Sequence, residues 1–151
     1  MNIDANERAA FEAIVGASSY MILATADATG LPWASPVWFA TTDFREYFWA
    51  SSPEARHSRN VVARPDLAIA IFDSGQKPGT GKGVYIAANG APVPEPELDH
   101  GLAIYAAQDE SLPVWTRADV LPPAKHRLYR ATASELFVLD SRDTRTPVPL
   151  S

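Results

Sequence analysis

Met21-Ile22-Leu23-Ala24-Thr25-Ala26-Asp27-Ala28-Thr29-Gly30-Leu31-Pro32-Trp33-Ala34-Ser35-Pro36-Val37-Trp38-Phe39-Ala40 decides the fold. Two runs of β-compatible residues flank Asp27-Ala28-Thr29-Gly30. That tetrapeptide is a turn, because aspartate bonds its own backbone and glycine takes positive φ without strain. A connection so short makes the flanking strands antiparallel. The stretch therefore reads as a hairpin of Tyr20–Ala26 and Pro32–Ala40. Pro36 lies inside the second strand and cannot donate to a ladder. Its place must be an edge, a bulge or an opening in the sheet.

Outward from the hairpin, more strands follow. Thr41–Arg45 is a second turn and Tyr47–Ser51 a third strand. Ser52-Pro53 offers a cap and a first helical residue, so a short helix is expected from Pro53 to about Ala63. Arg64-Pro65 stops it. Leu67–Phe72 and Gly83–Ala91 are strands around a Gly/Pro/Lys loop at Asp73–Lys82. Three prolines in Ala91–Pro96 mark a break. Glu95–Gln108 reads as an amphipathic helix with Leu98, Leu102 and Tyr105 on one face. Asp109–Ala124 is irregular, with room for one helical turn. Arg127–Ala133 and Glu135–Leu139 read as the last two strands, and Asp140–Ser151 as an extended arm. Upstream, Asp4–Ala17 reads as a helix with a capping-box-like Asp4 and Glu7 and an apolar stripe of Ala10, Phe11, Ile14 and Val15.

About seven antiparallel strands in so short a chain predict a closed or partly closed barrel. The 151 residues suffice for one domain. The expected organisation is a single domain over 1–151, mainly β with helices. Residues 1–17 form an N-terminal helix, 92–126 a helical and irregular insertion, and 140–151 a C-terminal arm.

Composition narrows the function. The absence of cysteine excludes disulfides, Cys-ligated metal and thiol chemistry. The polar, acidic start lacks a signal-peptide pattern, and no apolar run approaches the ~20 residues of a membrane helix. The expectation is a cytoplasmic protein with no membrane partner. A net charge of −5 argues against nucleic acid as a partner.

Two segments could carry chemistry. Ser51-Ser52-Pro53-Glu54-Ala55-Arg56-His57-Ser58-Arg59-Asn60 gathers hydroxyls, two arginines and a histidine at a strand end and the first turns of a helix. A helix N-terminus offers free N–H groups and partial positive charge, and arginine adds forked donors suited to phosphate. The alternative is a capped surface helix with solvated charges. In Pro32–Phe39, backbone groups freed by Pro36 could face a planar heterocycle beside Trp33 or Trp38. The alternative there is a bulged core strand.

Taken in order, these segments and Arg64-Pro65-Asp66-Leu67-Ala68-Ile69-Ala70-Ile71 resemble the pyridoxamine 5′-phosphate oxidase-like flavin-binding split-barrel family. The resemblance covers 18–91 well, is weaker over 92–126, and returns at Leu128-Tyr129-Arg130 and Asp143–Leu150. It implies a six-stranded antiparallel split β-barrel, a homodimer, and two flavins at the subunit interface. By this resemblance Ala34, Ser35, Pro36, Val37 and Trp38 lie along the flavin ring. Ser51, Ser52, Arg56 and His57 would hold the phosphate of FMN, with Arg59 able to assist. The oxidase's own phosphate motif is Ser-Arg-Lys, and here those positions read Ala55-Arg56-His57. That departure argues against true pyridoxamine-phosphate oxidase activity. Trp115 either reaches over the partner's flavin or anchors the core.

The expected function is an FMN-dependent oxidoreductase acting on a small-molecule substrate, with no side chain singled out as acid or base. One alternative is a deazaflavin-dependent reductase, for which Arg56, Arg59, Arg64, Lys77 and Lys82 could form a basic groove. Another is a non-enzymatic flavin- or haem-binding protein. Gly79-Thr80-Gly81-Lys82-Gly83 fails the P-loop spacing and reads as a mobile hairpin loop near the cofactor. His57, His100 and His126 lack metal-ligand spacing, and His100 reads as a surface residue.

Overall fold

The computed structural model describes residues 3–139 and 143–151. Helix α1 (Ile3–Gly16) leads into β1 (Tyr20–Ala26), β2 (Pro32–Trp38) and β3 (Glu46–Ser51). Then come α2 (Arg56–Ala63), β4 (Asp66–Phe72) and β5 (Gly83–Pro92). A 3-10 turn at Glu95–Glu97 runs into α3 (Leu98–Ala107), followed by α4 (Arg117–Val120), β6 (Arg127–Leu139) and β7 (Arg145–Val148). Helix α1 already includes Asp4, whose side chain lies outside the described residues.

Every strand pairing is antiparallel, and the sheet runs β2-β1-β4-β5-β6-β3. The expected hairpin forms with Ala24 opposite Ala34 and Ile22 opposite Pro36. Gly30 sits in its turn at φ 93°, which a side chain would strain. The edge strands β2 and β3 meet only at an isolated bridge, Ala40 to Phe48. The sheet curls into a barrel closed at that one point and split beyond it.

Two expectations need correction. The last two expected strands are one, because a bulge at Ser134 lets β6 continue past the register shift at Ala87/Ala88 of β5. The C-terminal arm holds a seventh strand, β7, pairing Val148 with Leu136. Strand β6 thus has β5 on one side and, on the other, β3 along its first half and β7 along its second.

Alternation fills the barrel. Met21 and Leu23 of β1, Val37 of β2 and Ile69 and Ile71 of β4 point inward, as do Tyr47 and Trp49 of β3. Phe48 faces the other way, into a second cluster with Leu98, Leu102, Val120 and Leu128. Strand β3 is therefore buried on both faces and reads as a continuous apolar run. The second cluster roots the 92–126 insertion, in which Leu98 and Leu102 bury the expected face of α3.

Candidate functional site

The site builds up at the split. Phe39 N–H bonds to Ser19 O, and Ala40 N–H bonds to Phe48 O. Backbone groups alternate in direction along a strand. Trp33, Ser35 and Val37 therefore direct their amides and carbonyls to β1, and Ala34, Pro36 and Trp38 direct theirs into the split. Pro36 contributes a carbonyl and no donor, so the free edge shows amide hydrogens at Ala34 and Trp38 only. The expectation of an edge or opening at Pro36 holds.

Helix α2 sits at the same end of the barrel. It begins at Arg56 rather than Pro53, because Ser52 turns the chain first. The Glu54 N–H donates to Ser52 Oγ (3.1 Å), and the Ala55 N–H donates to Ser52 O (3.1 Å). The capping position falls to Ala55, which has no side-chain acceptor. Arg59 N–H is the first to bond back, to Ala55 O. The amides of Arg56, His57 and Ser58 are thus left without a helical acceptor.

The buried polar side chains of the described residues are Thr25, Ser51, Ser58 and Asn60, and all lie on or against α2. Asn60 Nδ2 donates to Thr25 Oγ1 (3.1 Å), and Thr25 Oγ1 to Trp33 O (3.4 Å), tying α2 to the hairpin. Ser51 Oγ and His57 Nε2 lie 2.7 Å apart. Burial pushes the His57 imidazole below its ordinary value, by disfavouring its charged form. Ser58 Oγ is fully buried with no partner. A buried polar group normally finds one, so this concentration marks a place built for something beyond packing. The Arg56 guanidinium stacks over Trp33, 4.3 Å from the ring centroid. Arg59 is exposed with no side-chain partner among the described residues. Arg64 is spent on structure, donating to the carbonyls of Asp27 and Ala28 at 3.1 Å each.

The structure therefore gathers Ser51, Ser52, Arg56, His57 and Arg59 at one end of the split and lines its edge with Ala34, Pro36 and Trp38. Ser35 and Val37 share that strand but turn toward the barrel, where Val37 is buried. Trp115 joins a ring cluster with Tyr105 (5.8 Å) and His126 (5.4 Å). Tyr105 in turn packs edge-on against Trp38 at 4.8 Å. Trp38, Tyr105, Trp115 and Leu112 line a cavity of about 90 Å³. Sequence reasoning placed Tyr105 on the apolar face of its helix and missed this contact. Burial raises the pKa of the Tyr105 phenol, and the nearby Ala50 backbone amide partly opposes that rise. Thr25 and Asn60 were also missed, since a threonine in a strand and an asparagine in a helix carry no signal until the two elements meet.

Lys77 and Lys82 stand at the far end of β4, about 20 Å from α2 at ~3.3 Å per residue. That separation sets the two lysines apart from Arg56 and Arg59. His100 bonds Glu46 (3.0 Å), so the three histidines have separate partners. A concavity of about 610 Å³ lies between the end of α1 and the 73–82 loop and shares no residue with the α2 cluster. Among the described residues, no helix is long and apolar enough to cross a membrane.

A mainly antiparallel barrel, split at one seam, with a helix N-terminus at the seam's end, defines the split-barrel class of fold. The profile of the pyridoxamine 5′-phosphate oxidase family matches residues 8–139. The chain belongs to that family. Solved structures agree on the fold. A haem-binding protein from Mycobacterium smegmatis superposes with a TM-score of 0.77 at 19% identity, covering 99% of this chain and 60% of that one. The haem storage protein HutZ of Vibrio cholerae gives 0.66 at 23% identity, covering 84% and 90%. A FAD-binding protein from Mesorhizobium loti gives 0.60 at 17% identity, covering 85% and 90%. This chain spans only 60% of the mycobacterial protein's length. No curated protein matches in sequence.

Proposed function

We propose that this chain is an FMN-dependent oxidoreductase, a cytoplasmic homodimer that holds the flavin in the split and acts on a small substrate. The observation that carries the reading is the pairing of a free strand edge with an uncapped helix N-terminus at its end. FMN has the same two parts: a planar ring with donors and acceptors on its rim, and a phosphate on a flexible stem. The backbone of Ala34, Pro36 and Trp38 suits the rim. The free amides of α2, with Ser51, Ser52, Arg56, His57 and Arg59, suit the phosphate.

When bound, the flavin would supply the electron-transfer chemistry, and the protein binds, orients and excludes water. Trp38, Tyr105 and Trp115 wall one end of the split against solvent. Binding of FAD or haem by structural neighbours fits a flat, ring-bearing ligand in this fold. The gap between the Arg56/Arg59 pair and the loop lysines favours FMN over a deazaflavin with a long anionic tail.

The homodimer rests on the outer sheet face. Ala24, Ala34, Pro36 and Ala68 are exposed there in adjoining strands, beside Tyr20 (61% exposed) and Phe72 (50%). A flat, small-residue apolar surface of this kind is the usual mark of an interface. A second copy would also roof the open split.

The deciding measurement is the absorption spectrum of the purified protein, with mass spectrometry of the released cofactor. The expected result is a yellow protein that yields FMN. A colourless protein that takes up neither FMN nor riboflavin refutes the reading, and a Soret band assigns it to haem.

A further inference from the structure

We propose that His57 takes up a proton when the phosphate of the ligand binds, so that Ser51 and His57 act together as a proton-coupled phosphate clamp. This rests on the FMN reading and adds to it a chemical state and a pH dependence.

The geometry carries the inference. His57 is the second residue of α2, beside backbone amides with no helical acceptor. Its Nε2 is held by Ser51 Oγ at 2.7 Å, and its Nδ1 has no partner among the described residues. Ser51 is buried, so the pair cannot simply trade its contact for water. A hydroxyl can donate or accept. With His57 neutral and Nε2 bare, Ser51 donates to it. With His57 protonated, Nε2–H donates to Ser51 Oγ and frees the Ser51 O–H for another acceptor. The contact survives titration, and protonation adds the Ser51 O–H as a second donor beside the Nδ1–H that the neutral ring already carries. Both suit an anionic oxygen at the helix N-terminus.

The surroundings explain why the proton waits for the ligand. The cations near His57 in the fold are Arg56, stacked on Trp33, and exposed Arg59 on α2, with Arg127 on β6 opposite Ser51 and bonded to the Ala124 and His126 carbonyls. Glu54 on the preceding turn is exposed and bonds only Ser52, through its backbone. Strand β1 and the hairpin bring Thr25 and Trp33, which are uncharged. Without ligand, burial disfavours the charged imidazole and holds it neutral. A phosphate dianion reverses the sign of the local field and makes the imidazolium favourable. The proton comes from solvent, and no bond other than N–H forms.

The test is isothermal titration of FMN into the full-length protein at pH 7.5, in buffers of differing ionisation enthalpy, with riboflavin alongside. FMN should bind with uptake of about half a proton or more, and tighten roughly tenfold or more from pH 8 to pH 6.5, as one ~1.4 kcal/mol charge-assisted contact requires. Riboflavin, lacking the phosphate, should bind without uptake. His57→Gln should abolish the uptake and flatten the profile. His57→Lys, charged throughout, should bind FMN tightly with no uptake. FMN binding without proton uptake, or an uptake that persists in His57→Gln, overturns the clamp and leaves the FMN reading standing. Failure of both FMN and riboflavin to bind overturns the FMN reading and the clamp with it.

Discussion

Gly90→Ala tests how closely α2 is pressed onto the barrel. A Cβ at Gly90 would lie 2.5 Å from Leu67 Cδ2 and 3.3 Å from Val61 Cγ1. Val61 belongs to α2 and is buried, and Leu67 is the second residue of β4, also buried. Neither can move outward without disturbing the core. Gly90 is also pinned by its N–H bond to Pro65 O (2.9 Å). Forcing a methyl group into a packed site costs about 1–3 kcal/mol. Removing a glycine from a strand returns about 0.5–1 kcal/mol. The net expectation is a loss of about 0.5–2 kcal/mol, or roughly 2–6 °C in Tm for a domain of this size. Urea unfolding followed by tryptophan fluorescence would show a lower midpoint with an unchanged slope. The relief should be specific. Leu67→Val shortens the side chain that the new methyl meets, so the double variant should recover about 0.5–1.5 kcal/mol relative to additivity. Gly16→Ala, at the end of α1 with nothing within 4 Å of the added carbon, should be neutral or stabilising. A Gly90→Ala protein as stable as wild type, or an additive double variant, would refute the close approach.

Tyr105→Phe deletes the hydroxyl near the Ala50 amide, and should cost about 0.5–1.5 kcal/mol in the same unfolding assay. A neutral result would mean that water serves that amide equally well. Ala68→Glu puts a charge on the exposed outer face, and should give a folded monomer by analytical ultracentrifugation where the wild type is a dimer. A wild type that sediments as a monomer at tens of micromolar would remove the homodimer. His57 supplies a pH dependence of stability in the free protein. Its folded-state pKa lies below the ordinary 6.5, so the unfolded chain binds the proton more readily. Stability is fully present above pH 6.5, and this contribution is lost as pH falls through the folded value. His57→Gln should remove that part of the acid slope, and an unchanged slope would show that other groups set it.

The local elements are legible in the chain alone. The turn at Asp27–Gly30, the stop at Arg64-Pro65 and the alternation in β1 and β4 act over a few residues and are visible in composition. The chain also locates both halves of the candidate site, the Pro36-interrupted strand and the Ser51–Asn60 segment, because proline's missing donor and arginine's forked donors are properties of single residues. The exact helix start was less legible, since Ser52 caps a turn as readily as a helix. Relations between distant residues emerge only once the chain has folded. A strand that reads as two pieces, Arg127–Ala133 and Glu135–Leu139, becomes one because β5 accommodates a bulge. A tail that reads as an arm becomes β7 because β6 leaves an edge open beside Leu136. Thr25 meets Asn60, Ser51 meets His57, and Tyr105 meets Ala50 only when the barrel has curled. Alternation sets which face a side chain takes, whereas closure sets which strands become edges. The split that would receive a ligand exists because β2 and β3 touch at one bridge and no further, and no local pattern in the chain encodes that distance.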